Sequence, residues 1–189
     1  RGRSKVIGWS IAAVVSLVLG AVFGVPVLAD HIAPLIPLRA ERVIGDAVDV
    51  QIRSMLDTKK AGSAFECGIG EGEAPGRAAL DKLVRKLEAA ANLPIPLTAV
   101  AVRKDESNAI TLPGGRIYIY QGIIDKSATA DELAGVIAHE MGHVAHRDGT
   151  RSIIQAAGLS FMFGMLLGDF VGGGAVVLGA RTLLQSSYS

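Results

Sequence analysis

Aromatic residues are scarce, 5% of a 189-residue chain, and there is a single cysteine. Cys67 alone can form neither an internal disulfide nor a cysteine-based zinc site, so it reads as a structural or incidental thiol in a loop-like stretch. An excess of charge is also missing. The formal net charge is +1, which gives no reason to expect a nucleic-acid partner. Two stretches lack charge almost entirely. Residues 6–29 carry none, and residues 153–180 carry only Asp169.

Half of the residues are apolar and 23 are glycine. A chain of this length can hold one modest core. As a helix, residues 6–29 would span roughly 36 Å, enough for a bilayer core of about 30 Å. Arg1, Arg3 and Lys5 precede the run and Asp30 follows it. The positive flank favours the cytoplasm and puts the rest of the chain outside. A membrane anchor is the expectation, with a cleaved signal peptide as the alternative. His31, next to this run, reads as an interfacial residue. The chain begins with Arg, so its natural start is expected to be missing or processed. The 153–180 stretch has three readings: a spanning or re-entrant hairpin around its glycines, a buried helix followed by a loop, or a segment lying on the membrane surface.

Between these stretches the pattern is that of a mixed domain. Residues 39–57 have an approximate helical period, with Val43, Ala47, Val50 and Met55 recurring. Residues 58–76 dissolve into Gly, Ser, Lys and Glu and read as a loop. Residues 77–91 form a second helix with Leu80, Leu83, Val84 and Leu87 on one side, ended by Asn92 and Pro94. Three short strands follow at 97–102, 108–112 and 116–120, the last two joined by a Pro113, Gly114, Gly115 turn. Their spacing predicts a small mixed or antiparallel sheet. Thr129 or Ala130 opens a helix with Asp131 and Glu132 in its first turn. It runs to about His146, with Gly149 just beyond.

That helix carries His139, Glu140, Met141, Gly142 and His143. Two histidines four apart differ by about 40° in direction and about 6 Å in height, so both imidazoles can reach one ion. Zinc takes such nitrogens at roughly 2.0–2.2 Å and leaves a place for water. Glu140 points away from His139 and is better placed to take a proton from that water, and to pass it to a leaving amine, than to ligate. His146 lies near the same face but about 10 Å further along the axis. It is expected near the site or capping the helix end, not ligating. Two histidines alone make an open site. Asp169, Glu132 and Asp148 are the in-chain candidates for a third ligand, and none is well placed.

These residues, together with Asn108 and Ala109, then Leu112 to Gly115, then Ile117 to Tyr120, Gly122 to Ile124, and Asp131 to Ala134, resemble the M48 family. These are membrane-associated zinc metallopeptidases that include the HtpX-like, BepA-like and Oma1-like enzymes. The resemblance implies an α+β fold: a mostly helical zincin-like domain with a small three-stranded sheet beside the histidine helix, preceded by the N-terminal transmembrane helix. It implies an anchor over 1–30, a linker helix and loop over 31–76, and the peptidase domain over 77–189. It further implies that Zn2+ is held by His139 and His143, that Glu140 is catalytic, and that Asn108, Ala109 and Ile110 border the substrate cleft, where an extended peptide adds as a strand. The family's third ligand is a glutamate on a later helix, expected beyond Ser189, so the chain reads as a fragment. The implied substrates are misfolded or unassembled proteins of a bacterial envelope; HtpX-like members keep the catalytic domain in the cytoplasm, but the charge flank here puts the catalytic part of an inner-membrane protein in the periplasm. Two alternatives stand beside this reading. One is a non-catalytic chaperone-like or assembly module. The other is a helical membrane protein with a chance motif, which predicts no cleft between the sheet and the histidine helix.

Overall fold

The computed structural model describes residues 2–56 and 65–167. The apolar run forms α1 (Gly2–Leu19), one π-helical turn (Gly20–Gly24) and α2 (Val25–Ile32), followed by a 3-10 turn (Ala33–Leu35). Pro26 sits in the first turn of α2. It has no N–H to continue the α-helical ladder, and the wider π turn immediately before it absorbs the mismatch. Among the described residues, Gly2–Leu35 is the one helix long and apolar enough to cross a membrane. Val6, Trp9, Val14, Phe23 and Leu28 stand exposed along it, a surface that water would not favour.

Three strands follow in the spatial order β1 (Thr98–Val102), β3 (Arg116–Tyr120), β2 (Ala109–Leu112). β1 runs parallel to β3, with Val100 opposite Tyr118. β2 runs antiparallel to β3, with Ala109 opposite Ile119 and Thr111 opposite Ile117. The sheet is therefore mixed. The β2–β3 turn places Gly114 and Gly115 at φ +83 and +88, a region that favours glycine.

Side chains alternate across a strand, and here both faces are covered. Tyr118, Tyr120, Val100, Val102, Ile110 and Leu112 pack with Val48 and Ile52 of α3 (Leu38–Leu56). Ile117, Ile119 and Ala99 pack on the opposite face. Their partners are Leu80 and Val84 of α4 (Ala74–Ala91), Ile123 of α5 (Gln121–Lys126), and Ile137, Met141 and Val144 of α6 (Ala130–His146). On the first face, Asp49 of α3 is a buried carboxylate. It accepts from the Tyr118 hydroxyl and from Arg53 Nε at 2.9 Å, and it pairs with Arg116. α3 also presses on the β2–β3 turn, since a Cβ at Gly45 would lie 1.9 Å from the Pro113 carbonyl oxygen.

α6 begins at a side-chain cap. The Thr129 hydroxyl accepts from Glu132 N at 3.2 Å, and the Glu132 carboxylate accepts from Ala128 N at 2.7 Å. Its end at His146 is where the sequence puts it. The residue that stops it is Arg147, in the left-handed region at φ 58, and α7 (Asp148–Leu167) starts at the next residue, so that Gly149 lies inside α7. A non-glycine residue there is strained by about 1 kcal/mol or more, and its side chain supplies compensation. Arg147 Nε donates to Glu41 Oε2 at 2.8 Å, and Nη2 donates to the Ile36 carbonyl at 2.7 Å. Glu41, only 2% exposed, also accepts from the Thr150 hydroxyl at 2.7 Å. α7 then runs back along the apolar helix, where a Cβ at Gly158 would come within 3.0 Å of Val25. The first half of the 153–180 stretch is thus a helix with Ile153 and Ala156 buried. Its second half, with Asp169, lies outside the described residues.

Candidate metal centre

The last two turns of α6 bring His139, Glu140 and His143 together. One imidazole nitrogen from each histidine and one Glu140 carboxylate oxygen all lie within 4.8 Å of one another. The rings stand edge to face with centroids 4.9 Å apart. His139 is exposed and His143 half-buried, so the cluster opens to solvent, whereas Glu140 is 3% exposed. A carboxylate buried in a largely apolar setting needs a reason, and a shared cation is one that two imidazoles can also serve.

Each side chain is held from behind. His143 Nδ1 donates to Asp148 Oδ2 at 2.8 Å. That bond fixes the tautomer and leaves Nε2 as the donor for a metal. The Thr111 hydroxyl on β2 donates to Glu140 Oε2 at 2.6 Å and lies 3.2 Å from the Glu140 carbonyl oxygen. Glu140 Oε1 is left for a water. Two imidazole nitrogens with an open side, and a carboxylate beside them, fit zinc.

The other candidates fall elsewhere. His146 is exposed on the last turn of α6 and outside the cluster. Glu132 is spent on the helix cap, and Asp148 holds His143 Nδ1 and is not itself in the cluster. Among the described residues, no histidine, cysteine or carboxylate from another element joins the three. His31 Nδ1 donates to the Val27 carbonyl at 2.7 Å on the anchor. Asn108, Ala109 and Ile110 lie at the sheet edge with buried side chains. Tyr120 N donates to the Asn108 carbonyl, so in this antiparallel pair the backbone groups of Ala109 and Thr111 point away from β3. Asn108 Oδ1 takes the Ala109 N–H at 2.9 Å. Sequence reasoning missed Thr111, whose only early signal was a hydroxyl in an otherwise apolar strand.

Away from the cluster, a cavity of about 760 Å³ lies between α4, α5 and the first turn of α6, with Leu80, Leu83, Ala101, Ile124 and Leu133 among its walls and none of His139, Glu140 or His143. Cys67 borders it. Its N–H donates to the Ala101 carbonyl at 2.8 Å, and burial pushes its thiol pKa up, which keeps it protonated and unreactive at neutral pH. At the rim, the Glu73 carboxylate is held below its usual range by the N–H groups of Gly70 and Gly68 and by Arg103.

Comparison with known proteins agrees with this site. The profile of peptidase family M48 matches residues 76–186, more than half of the chain. A protease HtpX homolog of Salinibacter ruber is 36% identical over 94 residues, covering 47% of this chain and 32% of that protein. A putative beta-barrel assembly-enhancing protease of Vibrio cholerae is 34% identical over 79 residues, covering 41% and 16%. The mitochondrial metalloendopeptidase OMA1 of Schizosaccharomyces pombe is 36% identical over 52 residues, covering 28% and 15%. The chain thus spans no more than a third of the length of these three relatives. The match runs through both histidines, the glutamate between them and the strand hairpin beside them, and the chain belongs to peptidase family M48.

Proposed function

We propose that this chain is the membrane-anchored part of a zinc-dependent endopeptidase that cuts misfolded or unassembled proteins of a bacterial envelope. The observation that carries the reading is the convergence of His139, Glu140 and His143 within 4.8 Å. His139 and His143 would hold the zinc. Bound there, zinc supplies a Lewis acid that acidifies a water and polarises a carbonyl. Glu140 Oε1 takes the proton of that water and delivers it to the departing amine. The Thr111 hydroxyl keeps the carboxylate aimed. The outward Ala109 carbonyl and the main-chain groups of Thr111, with Asn108 and Ile110 beside them, align an extended substrate strand through backbone bonds that are indifferent to its side chains.

The exposed apolar face of Gly2–Leu35 supports insertion in the inner membrane. The flank of Arg1, Arg3 and Lys5 favours the cytoplasm, with the peptidase part on the periplasmic side. Burial of Ala29 and Ala33 against the fold supports an anchor that is kept over a signal peptide that is removed.

Zinc content and casein cleavage test the reading. The expected result, in a protein extended beyond Ser189 to carry a third ligand, is bound zinc in wild type and in Glu140→Gln, with cleavage in wild type alone. Zinc-free wild type would overturn it. A second reading is a non-catalytic chaperone-like or assembly module that keeps the fold and a partial metal site. It predicts zinc-independent suppression of aggregation, unchanged by Glu140→Gln.

A further inference from the structure

The corner between α6 and α7 carries more than a helix stop. Asp148, its first residue, holds His143 Nδ1 through Oδ2 at 2.8 Å, and its other oxygen, Oδ1, accepts from Arg151 Nη1 at 3.1 Å. Both carboxylate oxygens are therefore committed, one to the histidine and one to a cation a turn further along α7. Arg151 reaches beyond Asp148. Its Nε stands 3.3 Å from Asp30 Oδ1, an ion pair without hydrogen-bond alignment. Asp30 lies in α2, the closing part of the apolar helix. An unbroken series of charged contacts thus joins the anchor to a histidine of the candidate metal centre.

A second, independent fastening holds the same corner. Arg147 donates to the Ile36 carbonyl at 2.7 Å, to the Pro34 carbonyl at 3.3 Å and to buried Glu41. All three acceptors belong to the segment that leaves the anchor. The backbone at Arg147 is left-handed, a conformation that persists only where the surroundings over-determine it. Close packing of Gly158 on Val25 and of Gly20 beside Met162 completes the contact of α7 with the apolar helix.

We infer that Asp148 is a positioning residue for His143, and that the anchor holds it there through Asp30 and Arg151. This rests on the metal-centre reading above. An imidazole free to rotate about its side-chain bonds must be ordered when it binds an ion, whereas one fixed by a carboxylate is ordered beforehand, with its basic nitrogen exposed. The apolar helix is then part of the framework of the site as well as a tether. Displacing its end should loosen metal binding even though no anchor residue is a ligand.

Zinc affinity of the full chain in detergent micelles, read by competition with a chromogenic chelator, tests this. Cobalt(II) absorption reports the geometry, and thermal unfolding reports the fold. Asp148→Ala should weaken zinc by about 10–100-fold and alter the cobalt spectrum. Asp148→Asn, which retains an acceptor, should fall between Asp148→Ala and wild type. Arg151→Gln and Asp30→Asn should weaken zinc by roughly two- to fivefold, the range of a partly exposed ion pair. Asp81→Ala, which removes an exposed helical pair with Arg77 on α4, should change nothing.

Wild-type affinity in Asp148→Ala, or an equal loss in Asp81→Ala, overturns the inference. A loss in Asp148→Ala with none in Arg151→Gln or Asp30→Asn overturns the anchor's share in it. Should Asp148→Ala fail to fold, Asp148→Asn and Arg151→Gln decide by the same criterion. Zinc binding that survives His139→Ala overturns the metal-centre reading itself, whatever the Asp148 variants do.

Discussion

The two faces of the sheet bury carboxylates in opposite ways. On the α3 side, Asp49 is saturated by Arg53, Arg116 and the Tyr118 hydroxyl, and nearby Glu41 by Arg147 and Thr150. On the α6 side, Glu140 is as deeply buried, yet among the described residues its carboxylate accepts from a single neutral hydroxyl, that of Thr111. A carboxylate ringed by cations is fixed as a charge and has no capacity left for protons. One held by a hydroxyl alone keeps an oxygen open. Saturation marks structure, and incomplete saturation beside two imidazoles marks chemistry.

The comparison can be broken most sharply at Glu140. Glu140→Gln should lower casein cleavage by about 10²–10⁴-fold, the share of a general base, while zinc content and thermal unfolding stay near wild type. On the other face the loss should be structural. Arg147→Ala leaves Glu41 buried without its cation and should cost about 3–5 kcal/mol in chemical denaturation. A smaller and more selective effect is expected at Thr111. Thr111→Val should cut kcat by roughly tenfold with KM kept, since an unheld carboxylate loses its aim, and Thr111→Ser should restore it. Loss of KM in place of kcat would assign Thr111 to substrate binding instead.

The smallest effect belongs to the α3 face at high pH. Burial pushes the Tyr120 phenol up to about 12 from an ordinary value near 10. The folded state prefers the neutral phenol, so this stabilisation is complete below pH 10 and is lost as the pH climbs from 10 through 12. Tyr120→Phe should flatten that alkaline decline in thermal unfolding. Parallel declines in both proteins would remove Tyr120 from the cause.

Local signals carried much of this fold. The Thr129 cap, the apolar spacing of α6 and the double-glycine turn before Arg116 set element bounds close to those observed. The helix read as 77–91 begins earlier, at Ala74, because Pro75 is tolerated in a first turn where its missing N–H costs nothing. What was not legible depends on distance in space. Nothing in the order of three strands says that β3 sits in the middle, parallel to β1. Arg147 gives no hint that it ends a helix, since its left-handed backbone is stabilised by Glu41, far away along the chain. Asp148 reads as a stray acid near a motif until its contact with His143 is seen. The two histidines and Glu140 were legible because one helix fixes their relation. Their supports were not, because those supports arrive from β2 and from beyond the corner.

Gly45 sits in a helix, where glycine is a poor choice by about 1 kcal/mol relative to alanine, and it is remote from any reacting atom. Yet a methyl group there would collide with the main chain of the turn that feeds β2, and through β2 with the placement of Thr111. Mutational tolerance at this position should therefore be close to nil. Variants lost in a screen at codon 45 would mimic active-site lesions while touching nothing chemical.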